Sequence, residues 1–273
     1  MTSHSAVVRH QAGIAFDSLA DQYDDIFTNS LIGRAQRHAV WAVASQTFRR
    51  GDHILELNCG TGEDALFFVR LGMSVFACDA SEKMISVATR RRAVEAPRSP
   101  VRFEVLPIER IADARIFGPF DGIFSNFSGL NCVADIAEVS RQLSTLVMPG
   151  APVLLCVSTR VCLWETLWFL ARGKTSMAFR RWNGRATASL GRFAVEVQYP
   201  TVGALRKVFS PYLALRSCTG IGVAVPPSYL EHLARRHPNV LHRLRAVDSV
   251  ISRWPVFRAV GDHVLLVLER TAS

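Results

Sequence analysis

Lysine is scarce in this chain. Of 32 basic residues only Lys83, Lys174 and Lys207 are lysines, and the rest are arginines. Long apolar runs are missing too, which excludes an ordinary transmembrane helix from the expectations. The start, residues 1–11, is polar, with His4, Arg9 and His10, and lacks the apolar centre of a signal peptide. Six cysteines (59, 78, 132, 156, 162 and 218) form no CxxC pair, and several lie in apolar strands. They read as free thiols of a reducing compartment, so a cytoplasmic protein without structural zinc is expected. No clustering of Asp, Glu and His suggests a metal site, so none is expected. Internal repeats and low-complexity segments are also absent.

Acidic residues run short in one half only. Residues 1–157 hold 15 Lys and Arg against 17 Asp and Glu, whereas residues 158–273 hold 17 against 6. The net charge of +9 therefore sits in the second half. Such a half suits an acidic substrate, an anionic membrane surface or nucleic acid. With 273 residues, 49% hydrophobic and 20% charged, the chain suits one globular domain enlarged by insertions.

The densest pattern is Ile54-Leu55-Glu56-Leu57-Asn58-Cys59-Gly60-Thr61-Gly62-Glu63-Asp64-Ala65. An apolar strand enters a glycine turn and leaves it as a helix. A second strand, Ser74 to Cys78, ends on Asp79. Strand, glycine turn, helix, strand and acid hold a nucleotide-like ligand at the edge of a parallel sheet. Gly60 and Gly62 allow a tight turn and close approach, and Asp79 can accept ribose hydroxyls. The glycines alone fit a nicotinamide dinucleotide as well as S-adenosylmethionine. Glu56 separates the two, because a carboxylate there repels a pyrophosphate but suits a ligand carrying an ammonium and a sulfonium.

These residues resemble the class I S-adenosylmethionine-dependent methyltransferases. Leu55 to Gly62 is similar to their first motif, with Asn58 where a glycine is usual, and Asn tolerates positive φ better than most residues. Cys78-Asp79-Ala80-Ser81-Glu82-Lys83-Met84, Phe120-Asp121-Gly122-Ile123-Phe124-Ser125-Asn126 and Leu146 to Leu155 resemble the second-, fourth- and fifth-strand segments, in the right order. The resemblance implies an α/β, Rossmann-like, doubly wound sheet of seven mostly parallel strands with an antiparallel final strand and a helical or hairpin cap insertion. It implies S-adenosyl-L-methionine as cofactor, held by Glu56, Asn58, Gly60, Gly62, Asp79, Ala80, Ile108 and Asn126, with Tyr23 closing over it. Pro107 removes one backbone donor beside Ile108.

Alternation of strands and helices runs from 53 to 158 and then stops. The expected organisation is N-terminal lid helices over 1–50, a cofactor-binding core over 51–158, a cap insertion over 159–200, and completion of the sheet over 201–273 with a helical insertion at about 222–258. Apolar residues at helical spacing over 14–28 predict one lid helix, and Ser30 predicts the cap of the next. Residues 160–182, with Trp164 and Trp168, predict a mobile cap over the pocket, with Arg160, Arg172, Arg180 and Arg181 at its rim.

The expected partner is a small molecule, acidic or apolar. Asn126-Phe127-Ser128-Gly129 lacks the Asn-Pro-Pro-aromatic pattern that holds a flipped base, which disfavours nucleic acid. Peripheral membrane contact is compatible with the basic half. An RNA or DNA methyltransferase and a non-catalytic cofactor-binding protein are the competing readings. None of His232, His237, His242 and His263 stands out as a base, and no catalytic residue is named. S-adenosylmethionine and S-adenosylhomocysteine, but not NAD, are expected to raise the melting temperature, because a ligand that binds only the native state stabilises it. A shift with NAD alone contradicts the assignment.

Overall fold

The computed structural model describes residues 11–190 and 193–272. The polar start, 1–10, lies outside them, as do Gly191 and Arg192 at the turn of the expected hairpin. Five parallel strands form first: β1 (His53–Leu57), β2 (Ser74–Asp79), β3 (Val101–Val105), β4 (Gly122–Ser125) and β5 (Pro152–Val157). A separate antiparallel hairpin follows, β6 (Arg185–Leu190) with β7 (Phe193–Gln198). Then come β8 (Leu213–Ile221) and β9 (His263–Arg270). The seven-stranded sheet has the order β3-β2-β1-β4-β5-β9-β8. The last strand, β9, runs antiparallel between β5 and the edge strand β8. Strand order reverses at β1, between β2 and β4, which opens the crevice where ligands sit in such sheets.

Alternation along β1 assigns the faces. Leu55 and Leu57 join the core under α5 (Ile136–Ser144) and α8 (Val202–Phe209). Ile54 joins the core under α2 (Leu31–Thr47) and α3 (Glu63–Arg70). Glu56 follows Ile54 by two residues and so points to that same α2–α3 face. Helix starts follow their caps: Ser30 Oγ accepts from Gly33 N at 2.9 Å. Ser81 Oγ accepts from Met84 N at 3.1 Å, at the head of α4 (Glu82–Glu95). All six cysteines are free.

The expected lid helix over 14–28 is broken. It becomes α1 (Gln11–Asp17), a run of turns, and one π turn at Asp24–Thr28. The break has a polar cause. Asp17 Oδ1 accepts from Ser81 Oγ (2.6 Å) and Lys83 N (3.0 Å). Asp24 Oδ1 accepts from Thr61 Oγ1 (2.7 Å), and Asp24 Oδ2 pairs with Arg91. Both acids are therefore spent on docking the segment to the glycine turn and to α4.

The segment 160–182 also departs from expectation. Its helix α6 (Leu163–Leu170) turns Trp164 and Trp168 onto a small core of Ile32, Ala35, Val225, Leu230, Ala234 and Leu241. Of the expected rim arginines, Arg160 and Arg172 are exposed, whereas Arg180 and Arg181 are structural. Glu165, 1% exposed, accepts both Nε (2.7 Å) and Nη2 (2.8 Å) of Arg180. It also pairs with buried Arg181 at 3.0 Å, and Arg181 continues to Asp262 Oδ1 at 2.9 Å. Glu165 does not interrupt the exposed apolar run, because it lies on the inner face. Glu165→Ala leaves Arg181 short of a buried partner and is expected to cost about 3–5 kcal/mol, measured by denaturant unfolding.

Candidate functional site

A cavity of about 210 Å³ opens at the C-terminal ends of β1, β2 and β4. Seven of the nine residues singled out above line it: Tyr23, Asn58, Gly60, Asp79, Ala80, Ile108 and Asn126. The turn after β1 makes this possible through left-handed backbone at Asn58 (φ 52°), Gly60 (53°) and Gly62 (80°). Asn58 thus adopts the glycine conformation its position demands. A side chain on Gly60 would have only Tyr23 within reach, at 3.9 Å, so this position faces the open site.

Gly62 has a different role from the one expected. It does not line the cavity, and a Cβ there would lie 2.8 Å from Phe103 and 3.0 Å from Ala88. It is needed for packing of the turn against β3 and α4 rather than for ligand approach. Glu56 lies beneath the floor, 1% exposed. Burial, reinforced by Asp64, pushes its carboxyl well above the carboxylate range against the pull of Arg37, and Oε2 has no partner. Burial thus favours the protonated form of Glu56 and leaves one oxygen without a partner.

Asp79 Oδ2 accepts from Gly60 N at 2.9 Å, and Oδ1 accepts from Ser81 N at 2.8 Å. Each oxygen retains a lone pair. Burial raises the Asp79 pKa, with the Ser81 and Gly60 N–H groups opposing it. Ile108 begins a 3-10 helix and packs its side chain in the core while bordering the cavity. Tyr23 leans over the turn, and burial pushes its hydroxyl up to about 12. Asn126 is fully engaged: Nδ2 donates to Asp64 at 3.1 Å and Oδ1 accepts from Phe127 N at 3.0 Å.

Sequence reasoning missed Arg37 and Asp64. Both are buried and ion-paired beside the turn, and Trp41 Nε1 donates to Asp64 at 2.6 Å. Burial works against the Arg37 charge, but Asp64 overrides it and holds the guanidinium above its ordinary value. The available signal was an arginine at helical spacing with Gly33, Val40 and Ala44 on the inner face of α2. Phe127 and Ser128 were also undervalued. With Asn58 they are the non-glycine residues with positive φ among the described residues, and all three line the cavity. Local strain is thus concentrated at the site. Within the expected cap insertion over 159–200 it is the hairpin that borders the cavity, through Ala188, Val195 and Val197, where residues 160–182 do not.

Residues 54–150 match the family model described as methyltransferase domain. Over these residues the chain is similar to the class I S-adenosylmethionine-dependent methyltransferases. Demethylmenaquinone methyltransferase of Thermobifida fusca is 30% identical over 143 residues, covering 52% of this chain and 58% of that protein. Ubiquinone biosynthesis O-methyltransferase of Albidiferax ferrireducens is 33% identical over 110 residues, covering 40% and 42%. The chain thus spans little more than half, or less, of these relatives' lengths. A putative S-adenosylmethionine-dependent methyltransferase of Listeria monocytogenes has a TM-score of 0.59 at 16% identity, covering 86% of this chain and 97% of that one. The [4+2]-cyclase SpnF has a TM-score of 0.62 at 14% identity over 97% of both chains. Such distant likenesses show the fold alone.

The site accommodates the family's cofactor. The open Gly60 position, the spare lone pairs of Asp79 and the unpartnered Glu56 oxygen suit an adenosyl group with a cationic amino-acid tail. Glu56 also gives a stability signature. Its raised native pKa means that above about pH 4.5 the unfolded chain releases a proton the native state keeps, so ligand-free stability falls as pH rises. Glu56→Gln is expected to flatten that slope and raise the ligand-free melting temperature at neutral pH. It is also expected to weaken S-adenosylmethionine binding about tenfold, or about 1.4 kcal/mol. Unfolding curves at several pH values and calorimetry check both. Asp79→Ala is expected to weaken binding by about 1.5–3 kcal/mol, and wild-type affinity contradicts the ribose assignment.

Proposed function

We propose that the chain transfers the methyl group of S-adenosylmethionine to a small, mainly apolar organic acceptor. The observation carrying this reading is the lining of the cavity beyond the turn. Phe127, Ser128, Gly129, Cys132, Val133, Ala188, Val195 and Val197 include no ionisable Asp, Glu, His, Lys or Arg. The charged lining residues, Asp79 and Glu109, stand at the end assigned to the adenosine. Ser128 Oγ already shares a hydrogen bond with Ser158 Oγ at 2.8 Å. Burial raises the Cys132 thiol to about 11, so it stays protonated at neutral pH.

Bound S-adenosylmethionine supplies an electrophilic methyl on a sulfonium, whose displacement leaves a neutral thioether. The protein's task is therefore alignment and exclusion of water. Asp79 holds the ribose, Ala80 and Ile108 border the adenine, and Tyr23 covers the turn. Glu56 and Arg37 complement the ammonium and carboxylate of the amino-acid tail. Phe127, held edge-on to Phe27 at 4.7 Å, orients the acceptor. No residue in this lining acts as base, so the acceptor nucleophile is one that reacts without a protein base: an acidic phenol, a thiol or an activated carbon.

The names demethylmenaquinone methyltransferase and ubiquinone biosynthesis O-methyltransferase support an apolar acceptor, whereas glycine N-methyltransferase of Mus musculus, 30% identical over 88 residues, names a small polar one. The test is S-adenosylhomocysteine release over a panel of phenols, quinols, thiols and amines. Turnover is expected with an apolar phenol or quinol, at a rate that rises with pH as the acceptor itself ionises and shows no break from a site base. Selective turnover of a polyanionic or nucleic-acid substrate overturns the reading.

A further inference from the structure

The outward face of the α6 region has no explanation in methyl transfer. Leu163, Leu167 and Leu170 follow one another at helical spacing, and all three are exposed, Leu167 by 57%. After the short helix α7 (Thr175–Ala178), Phe179 and Trp182 add two exposed rings, packed edge-to-face at 5.1 Å. Trp182 is 47% exposed. The opposite face of α6 is firmly seated: Trp164 Nε1 donates to Ala224 O at 2.8 Å, and Trp168 packs in the small core. These apolar side chains are therefore presented by a fixed support.

Charge identifies what covers them. Arg160, Arg172, Lys174 and Arg185 are exposed around this segment. Between 159 and 190 the only acid is Glu165. It is buried and neutralised by Arg180 and Arg181. This segment thus combines large apolar and aromatic side chains with cations, and its one acid is neutralised, while exposed Glu196 lies on the neighbouring hairpin strand opposite Thr187. Large apolar and aromatic side chains ringed by cations are the combination that an anionic leaflet accommodates. We propose that Leu163, Leu167, Leu170, Phe179 and Trp182 seat this protein on an anionic bilayer surface, with Arg160, Arg172 and Lys174 at the lipid headgroups. This docking is independent of the methyl-transfer reading, since none of these residues lines the cavity.

Co-sedimentation of the full chain with vesicles tests it. Vesicles of equimolar phosphatidylglycerol and phosphatidylcholine are expected to pull the protein down, and pure phosphatidylcholine vesicles at least about fivefold less. Added salt weakens the binding through screening. Tryptophan emission shifts to the blue on binding, and Trp182→Phe removes most of that shift. The pair Leu167→Glu and Trp182→Glu abolishes sedimentation while far-ultraviolet circular dichroism and cofactor affinity stay at wild type. Arg172→Glu with Lys174→Glu reduces the anionic preference without touching an apolar residue. Equal binding to both vesicle types, no binding to either, or binding unchanged in the Leu167→Glu, Trp182→Glu variant overturns the proposal. So does a dimer in sedimentation equilibrium that this variant dissociates without any vesicle binding, which assigns the face to a second copy.

Discussion

One carboxylate organises the site. Asp79, at the end of β2, receives Gly60 N–H from the turn after β1 and Ser81 N–H from the head of α4. Cys59 N–H reaches Cys78 O at 2.9 Å beside it. Two parallel strands and a helix are thereby locked at one corner, and the left-handed turn is held open toward the cavity. The N-terminal segment depends on the same corner. Asp17 docks on Ser81 and Lys83, and Asp24 docks on Thr61. Even α1 is fitted to it, since a Cβ on Gly13 would lie 2.4 Å from the Ala80 carbonyl oxygen. The lid is therefore assembled on the cofactor turn, not merely near it.

Beneath this corner lies a polar layer that is incompletely satisfied. Glu56 is buried without a partner for one oxygen, while Asp64 receives Arg37, Trp41 and Asn126, and Arg37 Nε is left without a partner. Removing charge from water is costly unless partners compensate. Asp64 is compensated and Glu56 is not. The asymmetry is what a cationic ligand would relieve. Positive φ at Asn58, Phe127 and Ser128 adds backbone strain to the same region.

The parallel core was legible because its signals are local and periodic. Apolar runs, the Gly60–Gly62 turn, the Ser30 and Ser81 caps and the acid after β2 each act over a few residues. The antiparallel β9 was legible through the final Val264 to Glu269 run, and β8 lies outside it at the sheet edge. What escaped depends on long-range pairing. Glu165 lies in an apolar helical stretch, but residues 15 to 97 positions away, Arg180, Arg181 and Asp262, belong to its network. The lid helix broke because Asp17 and Asp24 had distant partners that no periodicity encodes. Arg37 could have been suspected from its place on an apolar helix face. The insertion was legible as a cap, but which of its residues face the cavity was not, because nothing in Ala188, Val195 or Val197 distinguishes a cavity wall from ordinary strand packing.

The central claim is that the corner built on Asp79 is an adenosyl site whose far side is an apolar acceptor chamber. A crystal structure with S-adenosylhomocysteine tests it most directly. The ribose is predicted on Asp79, the adenine beside Ala80 and Ile108, the amino-acid tail between Glu56 and Arg37, and the sulfur directed toward Phe127 and the hairpin. A ligand bound in the reverse sense, or seated away from Asp79, contradicts the account.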